Sequence, residues 1–251
     1  MKTKIKKLLD KLAYWFLDRL SDEHFVELIF NCIKHRTKGV PAAQSLKLLF
    51  SLDALLYQEQ GKFAVEYDGG IHTKHRHMKY HDFFIKRIQA TQNVLDIGCG
   101  IGAVAFDIAE KAGAHVVGID LSDGNIDQAR KQYSHPHVEY RVGDALKDLP
   151  EETFDVVVLS NVLEHLRERA SFLRNVVARL KPKIILIRVP VFERDWRVPL
   201  KKELGVEWRL DATHETEYTL ESFAKEIADA DLCVNHLEVR WGEIWSEVGS
   251  K

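Results

Sequence analysis

Four stretches of the 251-residue chain carry side chains whose type and spacing could do chemistry. In Asp96-Ile97-Gly98-Cys99-Gly100-Ile101-Gly102 an apolar run ends in glycines at alternate positions. Glycine permits positive φ and leaves no Cβ between the backbone and an approaching ligand. The spacing is not Gly-x-Gly-x-x-Gly, because position 103 is alanine. Asp96 also stands two residues before the first glycine, where its carboxylate would repel a pyrophosphate and suit an ammonium group. The second stretch, Val116-Val117-Gly118-Ile119-Asp120, ends in an acid beside Leu121 that can accept hydrogen bonds from two ribose hydroxyls. In the third, Gly143-Asp144-Ala145, a carboxylate can meet the exocyclic amine of adenine. The fourth, Ser160-Asn161-Val162-Leu163-Glu164-His165, sets an acid and an imidazole where another apolar run ends.

These stretches need elements to hold them. From Asn93 onward short apolar runs alternate with helical periodicity. Strands are expected at 94–97, 115–119, 138–142, 154–159 and 184–189, with helices at 103–112, 124–133, 164–180 and 219–230 between and after them. Strands separated by helices pair in parallel, and strands this apolar are buried on both faces. Residues 233–239 and 243–248 are joined only by Trp241-Gly242, which permits only antiparallel pairing. The fold class is therefore α/β: a Rossmann-like, doubly wound, seven-stranded sheet of five parallel strands closed by an antiparallel hairpin. Residues 1–90 read as an N-terminal helical extension or cap, with helices at 25–33, from near Pro41, and at 81–90. Gly61 and Gly69-Gly70 bracket a short extended stretch within it. Residues 91–251 form the main domain, with 191–218 as an insertion on its acceptor side.

The four stretches in this order resemble the class I S-adenosylmethionine-dependent methyltransferases, in particular the small-molecule branch with an Asp-Ile-Gly-Cys-Gly loop and a Leu-Glu-His segment. The resemblance covers Asn93–Val189, and the closing hairpin by architecture. It implies that Asp96, Gly98, Cys99, Gly100 and Gly102 contact the methionine part of the cofactor. Asp120, with Leu121, would hold the ribose, Asp144 and Ala145 would flank adenine, and Ser160 and Asn161 would lie beneath the sulfonium.

Two regions are expected to choose the acceptor. Gly69–His81 holds four histidines, His72, His75, His77 and His81, among the cations Lys74, Arg76 and Lys79. Those cations disfavour a dication, so no metal is expected. The segment reads as a cover over the cofactor mouth, with Arg76, His77 or Tyr80 touching the cofactor carboxylate or the acceptor, or else as a plain surface loop. It also resembles a segment ahead of the glycine loop in bacterial methyltransferases from surface-polysaccharide gene sets, which implies a saccharide acceptor. In the insertion, Trp196 and Trp208 could stack on a sugar while Arg194, Arg197 and Arg209 pair with phosphate or carboxylate. The alternative is a salt-bridged flap anchored by its tryptophans.

Methyl transfer is a displacement at carbon in which alignment is worth up to ~7–11 kcal/mol. An oxygen acceptor must also lose its proton, which favours a base poised near neutral pH. His165 is the first candidate for that base, or else a residue that positions the cofactor. His214, with Glu215 or Glu217 as partner, is the second, and His72 and His77 follow. A formal net charge of −2 offers no basic field for nucleic acid. Cys32, Cys99 and Cys233 are too far apart for a disulfide framework, which suits the cytoplasm. Lys2, Lys4, Lys6, Lys7 and Lys11 flank the stripe Ile5, Leu8, Leu9, Leu12, Phe16, Leu20, a basic amphipathic helix that could dock on the protein or make weak membrane-surface contact. Two other classes stay open: a catalytically silent cofactor-binding module and a nicotinamide-dependent oxidoreductase.

Overall fold

The structure, a computed structural model, describes residues 11–250. Most of the N-terminal basic stripe lies outside the described residues. These residues divide into two compact units, the division falling between Leu56 and Tyr57. In the first unit residues 11–17 are helical and are followed by α1 (Asp22–Thr37), whose N-cap is Ser21, its hydroxyl accepting the His24 N–H at 3.3 Å. α1 buries none of its residues, and Val26, Ile29 and Phe30 are exposed. α2 (Ala42–Tyr67) begins after Pro41 and runs through Gly61, correcting the extended stretch expected there. One glycine inside a helix costs only ~1 kcal/mol, which the remaining turns of a long helix absorb. No helix among the described residues is long and apolar enough to cross a membrane.

In the second unit α3 (Lys74–Met78) and α4 (His81–Ile85) precede the sheet. α4 is shorter than the expected helix over 81–90. Lys86 ends it, and Arg87 and Ile88 turn back in short i→i+3 bonds. The sheet then alternates: β1 (Asn93–Ile97), α5 (Ala103–Ala112), β2 (His115–Asp120), α6 (Asp123–Gln132), β3 (Val138–Val142), β4 (Val156–Ser160), α7 (Arg169–Leu180), β5 (Ile184–Pro190), α8 (Arg197–Glu203), α9 (Leu220–Asp229), β6 (Leu232–Arg240) and β7 (Glu243–Ser250). Its seven strands lie in the order β3-β2-β1-β4-β5-β7-β6. The first five are parallel, and β7 runs antiparallel to both β5 and β6. Trp241 and Gly242 both take positive φ, the geometry a two-residue hairpin turn requires.

Period-two alternation sorts the strand side chains onto two buried faces. Leu95, Ile97, Val157, Leu159, Ile185 and Ile187 pack with Leu173 and Val176 of α7 and Phe223 and Ile227 of α9. Val94, Val116, Val156, Val158 and Leu186 pack on the other face with Phe83, Phe84, Ile108 and Ile126 of α4, α5 and α6. Strand order reverses between β1 and β4, so the crevice beyond the carboxyl ends of those two strands is where an α/β sheet takes its ligand.

The helix expected over 164–180 divides. Leu163–His165 is a single 3₁₀ turn, Leu166 is extended, and α7 starts only at Arg169. The cause is long-range: the Glu164 carbonyl accepts the N–H groups of Glu215 and Thr216, at 2.7 and 3.2 Å, and is not left for a helix ladder.

Candidate functional site

The loop after β1 is fixed by backbone demands that only glycine meets. Gly98 has φ of 72°, and a Cβ there would lie 2.7 Å from Val162 Cγ2. Gly102 has φ of 87°, and a Cβ would sit 2.6 Å from the Tyr140 hydroxyl oxygen. That hydroxyl donates to the Gly102 carbonyl at 3.2 Å. Gly100, by contrast, has φ of 56° and open space around its missing side chain. The loop is tied to β2: Gly98 N–H and Cys99 N–H both donate to the Ile119 carbonyl, and Gly100 N–H donates to Asp120 Oδ2 at 2.9 Å. Asp120 Oδ1 accepts from Ser122 N–H and Asn125 Nδ2, at 2.9 and 3.0 Å. Asp96 is 1% exposed, and its Oδ2 has no hydrogen-bond partner among the described residues. Burial, and then the charge of Asp120, push its carboxyl up to about 8.

A second group of donors stands where β4 ends. Asn161 is left-handed, at φ 58°, which asparagine tolerates better than most residues. Its N–H donates to the Arg188 carbonyl at 2.8 Å, and its side-chain amide donates to Glu164 Oε1 at 2.8 Å. Glu164 is fully buried, and its Oε2 has no partner among the described residues. Burial pushes this carboxyl up to about 7. Beside it the rings of His165 and His214 meet edge to face, centroids 4.7 Å apart. His214 Nδ1 lies 3.1 Å from Glu217 Oε1. Burial pushes Glu217 up, but hydrogen bonds from His214, the Leu210 N–H and Arg194 outweigh it and hold Glu217 below the usual carboxylate range. An ionised Glu217 only accepts, so His214 carries a proton on Nδ1, and in the neutral ring Nε2 keeps the lone pair. Thr213 Oγ1 donates to Asp211 at 2.7 Å and so accepts from His165 Nδ1 at 2.9 Å, leaving a lone pair on His165 Nε2 as well. Burial, and then His214, lower the pKa of His165.

Residues 95–187 match the protein family described as "Methyltransferase domain". Ubiquinone biosynthesis O-methyltransferase of Bradyrhizobium diazoefficiens is 34% identical over 128 residues, 49% of this chain and 50% of that protein. The Rhodopseudomonas palustris protein of the same name is 32% identical over 164 residues, 59% of this chain and 64% of its own. The chain thus spans between half and two thirds of the length of these relatives. Among solved structures, magnesium protoporphyrin IX methyltransferase from Synechocystis with bound SAH shares the fold at a TM-score of 0.56 and 16% identity, covering 70% of this chain and 84% of that one. A TehB-like methyltransferase from Corynebacterium glutamicum shares it at 0.52 and 19%, covering 80% and 99%. Residues 95–187 thus carry a methyltransferase domain, on a fold shared with solved methyltransferases.

Three features of the methyltransferase domain fit S-adenosylmethionine: the open side of Gly100, the Asp96 Oδ2 without a partner among the described residues and suited to an ammonium, and Asp120 at the end of β2. Leu121 is 72% exposed beside Asp120, a free apolar face for a ring. Asp144 accepts the Leu146 N–H and pairs with Lys147 at 2.8 Å, and Ala145 packs on the core. Ser160 Oγ accepts from Arg188 Nη1 at 3.3 Å. Arg188 is buried, paired through two nitrogens with Glu243, and stacked 3.8 Å from the centre of the Tyr80 ring. No motif marked Arg188 or Glu243, because only the β5–β7 pairing, with Pro190 opposite Glu243, brings the two together.

The histidine-rich segment forms a hydrogen-bonded chain. His81 Nδ1 meets Asp107 of α5 at 2.7 Å, His75 Nδ1 lies 3.3 Å from His81 Nε2, and the Tyr80 hydroxyl is 3.0 Å from His75 Nδ1. Burial first, then His81 and the cations Lys74 and Arg188, lower His75 to about 4. Arg76 pairs with Asp68. In the insertion Arg194 pairs with Glu217, Arg197 with Asp195 and Arg209 with Glu207. Arg194 also donates to the Trp208 carbonyl at 2.9 Å, and Trp208 packs edge to face on Phe192. Trp196 is 70% exposed.

Proposed function

We propose that the chain is an enzyme that transfers the methyl group of S-adenosylmethionine to an oxygen of a small-molecule acceptor. The observation that carries this reading is the cluster at the end of β4. Two imidazoles with fixed tautomers and one unpartnered carboxylate oxygen stand together, and Val162 of the same segment abuts the glycine loop at Gly98. In this reading Asp96, Gly98, Cys99, Gly100 and Gly102 take the methionine part of the cofactor, and Asp120 and Leu121 take the ribose. Asp144 and Ala145 take adenine, Ser160 and Asn161 lie under the sulfonium, and Tyr80 and Arg76 border the carboxylate end. The acceptor hydroxyl loses its proton at the cluster, with His165 first and His214 second as the group acting on it. The carbon–sulfur bond breaks with its electron pair left on sulfur. Two similar proteins are named ubiquinone biosynthesis O-methyltransferases, which supports an oxygen acceptor. Exposed Trp196 offers a stacking face, and a saccharide is the acceptor class we place against it. Cys32, Cys99 and Cys233 are free thiols, which suits the cytoplasm.

The test is transfer of labelled methyl into fractionated extract of the source cells, with Asp120→Ala as the blank. Label in small-molecule or glycan fractions is the expected result. Label only in protein or nucleic acid sinks the acceptor class, and cofactor binding without label in any fraction returns the silent binding module.

A further inference from the structure

We infer that Glu164, His165 and His214 form a binding site for one divalent transition-metal ion, with the acceptor oxygen as a further ligand. One donor atom from each of the three lies within 4.8 Å of the others. Every donor is already oriented by a second group, as metal-binding imidazoles and carboxylates are. His214 gives its Nδ1 proton to Glu217, which Arg194 and the Leu210 N–H hold in turn. His165 gives its Nδ1 proton to Thr213, backed by Asp211. Asn161 fills Glu164 Oε1. These bonds leave two Nε2 lone pairs and the buried, unpartnered Glu164 Oε2, a set of two nitrogens and one oxygen that fits zinc, cobalt or manganese better than magnesium or calcium. Bonds of ~2.0–2.2 Å require donors somewhat closer than the outer limit here, so the three donors must draw together on the ion. Arg188, the nearby cation, is neutralised by Glu243.

The inference rests on the oxygen-acceptor reading for its purpose and on geometry alone for the site. A bound cation lowers the pKa of a hydroxyl that it ligates. The proton then leaves to water, the oxygen takes the methyl carbon as the carbon–sulfur bond breaks, and the histidines act on the hydroxyl through the ion that they hold. This places a metal where the sequence alone suggested none.

The test uses full-length protein stripped with a chelator and titrated with Zn²⁺ by calorimetry and Co²⁺ by visible absorption. The expected result is one ion per chain, with His137→Ala, in the separate His115–His135–His137 group, binding as wild type does. Glu164→Gln and His214→Ala, checked for fold by circular dichroism, should bind at least ~10-fold more weakly. Thr213→Val, which changes an exposed side chain outside the ligand set, should weaken binding by ~10-fold through loss of ring orientation. No stoichiometric ion, or equal binding by Glu164→Gln and His214→Ala, overturns the site. Methyl transfer undiminished by chelation overturns the cation's role and leaves the oxygen-acceptor reading standing. An ion bound in the expected way without transfer to any oxygen supports the site and removes that reading.

Discussion

The two halves of the proposed site are built from different materials. The cofactor half is backbone: Gly98 and Gly102 hold left-handed turns against Val162 and Tyr140, and the loop N–H groups close onto Ile119 and Asp120. The acceptor half is side chain: Glu164, His165 and His214 are held by Asn161, Thr213, Asp211, Glu217 and Arg194, with Thr213 and His165 48 residues apart along the chain. A backbone site tolerates no added Cβ but survives changes elsewhere. A side-chain site depends on each partner in its chain of hydrogen bonds.

The sharpest way to break that contrast is Gly98→Val. A β-branched residue at φ 72° with its Cβ 2.7 Å from Val162 combines backbone strain with overpacking, ~1–3 kcal/mol each. Cofactor affinity measured by calorimetry should be lost, and thermal stability should fall with it. Wild-type affinity in this variant would mean that the loop does not touch the cofactor.

Glu217→Gln should act on the other half alone. It removes the carboxylate shared by Arg194, the Leu210 N–H and His214, charged hydrogen bonds worth ~1.5–3 kcal/mol each. Faster hydrogen exchange or proteolysis over 191–218 is expected, with methyl transfer reduced and cofactor affinity kept within ~3-fold, or ~0.65 kcal/mol. Equal loss of cofactor affinity would show that the two halves are one.

The difference in materials also decides what could be read from the sequence. A glycine required by φ or by close approach is a property of one position, so the loop, Asp120 and the parallel order of β1 to β5 were legible residue by residue. The hairpin was legible because two residues between strands leave one pairing. The break before α7 was not, since the Glu164 carbonyl is claimed by Glu215 and Thr216 about 50 residues on, and no local pattern announces that pairing. The pairing of the insertion's arginines was legible only as one of two alternatives, the salt-bridged flap, and in the fold each is matched to a carboxylate. Gly61 misled in the opposite direction, because a weak local preference yields to the length of α2.

A smaller effect separates the halves by pH. Free Asp96 keeps its proton to about 8, above the ordinary carboxyl value of 3.8. The native state therefore holds a proton that the unfolded chain has released, so this group subtracts stability as pH rises from about 4 to about 8. An ammonium placed beside it restores the ionised form. At pH 7 cofactor binding should release up to one proton per site, seen as different calorimetric heats in phosphate and Tris, and Asp96→Asn should abolish the difference. Binding with no proton released would place the ammonium elsewhere.

The smallest effect lies on the outer surface of the insertion. Glu207, drawn down to about 2 chiefly by its hydrogen bonds from Arg209, gives stability that is present above its ordinary 4.5 and lost as pH falls toward 2. The pair is largely solvent-exposed, so Glu207→Gln should cost less than ~1 kcal/mol at neutral pH and leave both binding and transfer unchanged. A larger loss in thermal melting would show that the flap's surface pairs, and not its buried Glu217 hub, hold it in place.

The most direct test of a cofactor half that stands on its own is calorimetric binding of S-adenosylmethionine to wild type, Asp120→Ala and His214→Ala in parallel. Binding by wild type and His214→Ala, and its loss in Asp120→Ala, is the expected result. Loss in His214→Ala with retention in Asp120→Ala would contradict the division of the site, and no binding to wild type would contradict the assignment of the glycine loop altogether.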